Sequence, residues 1–357
     1  MDYGHTQFQL RRRPALDGVR GLAIIGVVLF HSETVHLQGG FLGVDLFFVL
    51  SGFLITSLLY EELATTGSVN FRSFYMRRVL RLVPASLTLL AALWVAVLLF
   101  RGHFATGPEL MLRATGWVLI YANNWVSALQ ISEWPAVMGH LWSLAVEEQF
   151  YIVWPALVAW LLKRRLFAVA TFLALMLAVA SAGWRAWLQF AGAPFERLYF
   201  ATDTRGDGLL IGCTLALLVY RRGTSSLAVH TASLLFGGLI LGILAVMANN
   251  SAPWMYYCGF WAASCAAALT IFGALEPAYF LRRPLESWPL TTLGRLSYGL
   301  YLWNHVMNFA VKALSTRYQM SAQVRDGVAI AATLTIGALS YLIVERPALR
   351  LKKRFST

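Results

Sequence analysis

Residues 16–31 read LDGVRGLAIIGVVLFH, an apolar run with Asp17 and Arg20 near one end and His31 at the other. A hydrocarbon core about 30 Å thick takes roughly 20 apolar residues of helix. Runs of that kind recur along the chain, at 17–36, 42–60, 80–100, 141–162, 166–187, 206–220, 227–247, 256–275, 292–311 and 327–344. A further run at 110–122 is short and contains Arg113. The predicted fold class is therefore all-α: a polytopic membrane helical bundle of about ten transmembrane helices. No polar block is long enough for a second domain, so 1–357 reads as one membrane-embedded domain.

Composition agrees. Of the 357 residues 58% are hydrophobic and 13% charged, where a soluble domain carries about 25% charged residues. The net charge of +12 comes from short clusters between apolar runs, the pattern of topology-setting loops, and nucleic acid is excluded as a partner. Cys213, Cys258 and Cys265 each lie inside an apolar run without ligand spacing, so neither a disulfide framework nor a metal site is indicated. Asp17 and Arg20 interrupt the first run and no small-residue cleavage site follows, so that segment is expected to stay as a helix. Oligomeric state leaves no mark in the sequence.

Loop charge decides whether the run at 110–122 crosses. If it does not, one side of the membrane collects Arg11, Arg12, Arg13, Arg20, Arg72, Arg77, Arg78, Arg81, Lys163, Arg164, Arg165, Arg221 and Arg222. The same side also collects Arg282, Arg283, Arg295, Arg346, Arg350, Lys352, Lys353 and Arg354, which makes 21 of the 29 Lys and Arg residues. That bias marks the cytoplasmic face and puts both termini there. A crossing at 110–122 would scatter the clusters over both faces, so this run is read as interfacial or re-entrant.

Ionisable residues inside spans are expensive and point to function. Arg20 and His31 are eleven residues apart, which on a continuous helix is three turns plus about 20° and about 16 Å along one face. An arginine fork suits phosphate, and a histidine accepts a proton near neutral pH. A long phosphate-bearing thioester could be gripped at one end and react at the other. The plainer alternative is a topology anchor and an interfacial histidine. Arg78 and Arg81 share a helical face and suit a diphosphate, with Arg77 beside them; they too could be anchors. At 140–151, HLWSLAVEEQFY places Glu147 and Glu148 in an apolar helix, with Trp142 nearby and Glu147 two turns after His140. Adjacent carboxylates there suggest chemistry. Asp203, Arg205 and Asp207 in TDTRGDG form either a mutual ion-pair network or an acceptor mouth. The aromatics of SYGLYLWNH, Tyr301 among them, serve either as membrane packing or as a sugar platform.

Taken in order, LDGVRGLAIIGVVLFH, GFLGVDLFFVLSGFLI, FYMRRVLRLVP, HLWSLAVEEQFYIVWP, TDTRGDGLLIGC, LSYGLYLWNH and VERPALR resemble the acyltransferase-3 family of bacterial membrane O-acyltransferases. The resemblance implies about ten helices in the bacterial cytoplasmic membrane. It also implies transfer of an acyl group, usually acetyl from acetyl-CoA, to a hydroxyl of a surface or lipid-linked sugar. Arg20 and His31 match its hallmark arginine–histidine pair, with the histidine essential; Arg78 and Arg81 match its second arginine motif, on the donor side. The expected roles follow. His31 is the catalytic base, with Glu147 or Glu148 orienting it or binding sugar. Arg20, Arg77, Arg78, Arg81 and Arg346 hold acyl-CoA. Asp45, Trp142, Asp203, Arg205, Asp207 and Tyr301 hold the acceptor. Direct transfer and an acyl-histidine relay both stay open. Some members add an SGNH domain, which the thirteen residues after Val344 leave no room for. The family pattern has histidine directly after the tryptophan, where this chain has Asn304 and then His305, so a role for His305 stays open. The competing function is a transporter or flippase of an amphipathic solute using the same charges; a scaffold is the third.

Overall fold

A computed structural model describes residues 8–10, 13–35, 37–99, 107–223 and 225–351. Arg11, Arg12, Lys352, Lys353 and Arg354, counted above, lie outside the described residues. Among the described residues helix is the sole regular secondary structure. The long helices are α1 (Pro14–Phe30), α2 (Gly43–Thr66), α3 (Phe71–Leu99), α4 (Pro108–Leu119), α5 (Trp142–Lys163), α6 (Phe167–Phe190), α7 (Asp207–Arg222), α8 (Leu227–Met247), α9 (Phe260–Leu275), α10 (Trp288–Tyr318) and α11 (Ala322–Ser340).

Each expected run contains one of these helices, although the run at 17–36 leaves helix after Phe30, and length and apolarity separate them. Six helical stretches among the described residues are long and apolar enough to cross a membrane: Gln38–Thr66, Phe71–Leu99, Phe167–Phe190, Leu227–Met247, Met255–Leu275 and Ala322–Leu351. Of the other four, α1 has 17 residues and α7 has 16, while α5 carries Glu147, Glu148 and Gln149, and α10 carries Arg295, Asn304, His305 and Asn308. The run at 110–122 is α4, with 12 residues, about 18 Å of helix and too short to cross.

The chain divides into two compact units. The first comprises Met1–Phe30, His36–Val69 and Val146–Arg295. Its helices approach to backbone contact at α2 and α7: a side chain on Gly52 would run into the Leu209 carbonyl, and one on Gly212 into the Val49 carbonyl. Where lipid is as apolar as the helices, such close van der Waals packing is what holds them together. The second unit comprises His31–Val35, Asn70–Ala145 and Leu296–Thr357. Its core joins Leu89, Leu90 and Leu93 of α3, Met111 of α4, Met138 and Leu141, and Leu302 and Trp303 of α10. Its last helix loosens into a π turn at Tyr341–Glu345.

Candidate active site

The second unit holds a histidine cluster. α1 ends at Phe30, so His31 stands in the turn that follows and not on the helix itself. The continuous-helix geometry expected from Arg20 to His31 therefore stops one residue short. The turn is tied to the start of α11. Asp326 Oδ2 accepts from Ser32 Oγ (2.8 Å), the Thr34 backbone N–H (2.9 Å) and Thr34 Oγ1 (2.8 Å). Arg325 reaches Asp326 Oδ1 at 3.2 Å and Glu33 at 2.7 Å. One carboxylate thus gathers most of the polar groups of residues 32–34, which leaves the preceding side chain a defined starting direction.

His31, itself half-buried, meets α10. Its Nδ1 lies 3.0 Å from Asn304 Nδ2, and its Nε2 lies 3.3 Å from His305 Nδ1. The far side of His305 is 2.8 Å from the Ala136 carbonyl. His140 completes the cluster, with its ring 5.0 Å from that of His305. Both His140 ring nitrogens are buried without a hydrogen bond among the described residues, the Leu302 backbone being a polar neighbour outside good geometry. Burial, then the neighbouring His305 and His31, holds His140 well below the usual histidine range, so it is neutral at physiological pH. The short 3-10 turn that carries it, Ala136–Leu141, is pinned by Tyr301. The Tyr301 hydroxyl donates to the His140 carbonyl (2.7 Å), which makes Ser143 Oγ the donor in the 2.6 Å contact between the two hydroxyls. The Tyr301 hydroxyl is thereby engaged within the unit, and Trp142 is buried beside it.

The cations of α3 belong to the same unit. Arg77, Arg78 and Arg81 are all half-buried, Arg78 with its guanidinium 6.0 Å over the Phe74 ring. Arg81 faces the buried Glu345 at the π turn, and Arg346 is exposed at the next position.

The first unit holds a second polar cluster, and it is made of ion pairs. Arg205 Nη2 bonds Asp45 Oδ1 at 2.9 Å, with the guanidinium 3.7 Å over the Phe260 ring and 5.2 Å from the Tyr199 ring. Arg185 forks Asp207 at 2.9 and 2.8 Å and donates to the Thr204 carbonyl at 2.5 Å. Arg197 forks Asp203 at 2.8 and 2.5 Å, and the Trp184 indole donates to the same carboxylate at 2.9 Å. Arg205, Asp45, Arg185 and Asp207 are all buried. Buried charges persist only when paired and hydrogen-bonded, and cation–π contact adds to that pairing. Of the two readings of TDTRGDG, mutual ion pairing is what the side chains form. Glu147 accepts from Ser51 at 2.7 Å, and Glu148 is half-buried next to it. Arg20, also in this unit, is half-buried on α1.

A family model described as an acyltransferase domain matches residues 13–344. The chain belongs to the acyltransferase-3 family. Among curated relatives, the protein named O-acetyltransferase OatA from Staphylococcus aureus strain NCTC 8325 is 33% identical over 353 residues, covering 94% of this chain and 57% of that protein. The protein of the same name from strain COL gives the same values. The chain thus spans a little over half the length of these relatives. No solved structure matches.

For this acyltransferase-3 chain the sequence singled out His31, the α3 arginines, the TDTRGDG charges and Asp45, left the role of His305 open, and missed Arg185, Arg197 and Asp326. Asn304 and His305 carried a signal, as polar neighbours in an apolar run that depart from the family pattern. Arg185 carried one too, as the lone cation of the run at 166–187. Asp326 carried none: it lies past the first turn of α11, beside Arg325 and outside every motif the sequence offered.

Proposed function

We propose that this acyltransferase-3 chain is a multi-pass enzyme of the bacterial cytoplasmic membrane. In this reading it moves an acyl group, acetyl in the simplest case, from cytoplasmic acyl-CoA to a hydroxyl of a cell-surface or lipid-linked sugar. The observation that carries the reading is His31, the family's histidine, held by polar contacts on both ring nitrogens within an acyltransferase-3 chain. Relatives named as O-acetyltransferases support the acyl type. The family match running through both units supports one working domain, and the loop-charge bias supports ten spans with both termini cytoplasmic.

His31 is the general base. The acceptor hydroxyl oxygen attacks the thioester carbonyl carbon as its proton passes to His31. The new C–O bond forms, the C–S bond breaks, and the departing CoA thiolate takes the proton, which returns His31 to its neutral form. Arg77, Arg78 and Arg81, with Arg20 and Arg346, are the cations for the CoA phosphates. Glu147, Glu148, Trp142 and Tyr301 are assigned to the acceptor side, as are Asp45, Asp203, Arg205 and Asp207, whose charges are held in ion pairs.

Purified protein in lipid nanodiscs, given acetyl-labelled acetyl-CoA and cell-envelope glycans, is expected to release CoA and label the glycan. CoA release without glycan labelling, or neither, would remove the proposal. Arg78→Ala and Arg81→Ala are each expected to raise KM for acyl-CoA by about 10-fold to 100-fold, the worth of a charge-assisted hydrogen bond, with a smaller effect on kcat. Titration of CoA release against acyl-CoA checks this. Asp326→Ala frees the turn after His31 and is expected to lower kcat by up to about 10²-fold, the cost of misplacing a reacting group. A kcat within twofold of wild type would mean the turn positions nothing.

A further inference from the structure

The hydrogen-bond directions around His31 can be worked out from two independent ends. Asn308 Nδ2 donates to the Asn304 backbone carbonyl at 2.8 Å and to Asn304 Oδ1 at 2.9 Å. A backbone carbonyl only accepts, so the Asn308 atom facing it is the amide nitrogen. Asn304 Oδ1 is therefore the acceptor, also approached by the Thr333 hydroxyl at 3.5 Å, and the Asn304 amide nitrogen is turned to His31 Nδ1 at 3.0 Å. An amide N–H only donates. His31 Nδ1 must then present a lone pair, and the neutral ring carries its proton on Nε2. From the other end, His305 Nε2 faces the Ala136 carbonyl at 2.8 Å and must carry a hydrogen. In the neutral ring that leaves His305 Nδ1 as an acceptor, 3.3 Å from His31 Nε2. The two ends agree on one tautomer.

We propose that Asn304 and His305 are positioning residues that lock His31 in the Nε2–H tautomer, so that Nδ1 is the atom that takes the proton from the acceptor hydroxyl. The inference rests on the reading of His31 as general base and deepens it. The acceptor hydroxyl takes the place of the Asn304 amide at Nδ1. Its proton moves to Nδ1 as its oxygen forms the ester, and the imidazolium keeps Nε2–H donated to His305 throughout. When the CoA thiolate takes the Nδ1 proton, the ring is back in its starting tautomer without a flip. A histidine without such partners divides its proton between both nitrogens, and part of the population then presents the wrong atom. His140, with no hydrogen bond to either neighbour, closes the cluster without competing for the proton.

The test is the 15N spectrum of the full chain, labelled at histidine and held in lipid nanodiscs at about pH 8.5, above the ordinary histidine range. The His31 signals are assigned by their loss in His31→Gln. The expected result is an unprotonated Nδ1 and a protonated Nε2. Asn304→Asp offers His31 only acceptor oxygens while keeping an acceptor for Asn308, and it is expected to put a proton on Nδ1 and lower acyl transfer at least about tenfold. A wild-type Nδ1 that carries the proton overturns the proposal, and this measurement needs no variant to fold. So does an Asn304→Asp spectrum with His31 unchanged, or a switched ring with an undiminished rate. Full acyl transfer by His31→Gln would instead sink the general-base reading while leaving the wild-type tautomer as measured.

Discussion

Replacing His31 with alanine is expected to lower acyl transfer by about 10²–10⁴-fold, the usual contribution of a positioned general base, with membrane insertion and unfolding temperature unchanged. The separation of the two effects follows from where His31 stands. It lies beyond the end of α1 and is half-buried, so its loss removes little packing. Its turn is held through Ser32 and Thr34 on Asp326, not through the imidazole. The groups it leaves behind, Asn304 and His305, retain Asn308, Thr333 and the Ala136 carbonyl as partners. The check is turnover of labelled acetyl-CoA beside a thermal unfolding curve in the same nanodiscs. An alanine variant that keeps more than a tenth of the wild-type rate would argue against the base. One that fails to insert would argue that His31 is structural.

Replacing Asp45 with leucine is expected to destabilise the protein by about 3–5 kcal/mol, the cost of leaving one member of a buried ion pair uncompensated. Asp45 and Arg205 are 3% and 2% exposed, and the guanidinium lies 3.7 Å over the Phe260 ring, so loss of the carboxylate leaves a buried charge. The paired change Asp45→Leu with Arg205→Met is expected to recover most of that loss, because two apolar groups of similar volume remove the charge and its penalty together. Unfolding midpoints of the two variants decide. If Asp45→Leu instead unfolds like wild type and raises the acceptor KM, the pair belongs to the binding site and not to its frame. The distinction matters for all of TDTRGDG, whose charges the sequence alone could assign equally to substrate or to each other.

Much of the polar detail therefore turned on partners far away in the chain. The sequence places a carboxylate, an arginine and a second carboxylate at 203, 205 and 207, but not their assignments. Asp207 pairs with Arg185 and Asp203 with Arg197, while Arg205 turns to Asp45. Asp203 and Arg205 lie on the short helix Thr202–Arg205 and Asp207 opens α7, so the three neighbouring charges meet three different partners. Spacing within TDTRGDG is consistent with that outcome and with several others.

The sequence by itself determined that the chain is helical and lipid-solvated, and roughly where the long helices run. Helix formation is a local matter: hydrogen bonds close over four residues, and an apolar run in lipid has no other way to satisfy its backbone. It also determined the family, because the motifs survive in order. Only the tertiary structure decided that α1 stops before His31 and that His31 meets Asn304 and His305, residues 273 and 274 positions away. The same holds for Asp326, 292 positions from Thr34. Such pairings depend on the angle and depth at which packed helices present their polar groups. Those are set by close contacts such as Gly337 of α11 on Leu300 of α10, which no local pattern of residues encodes.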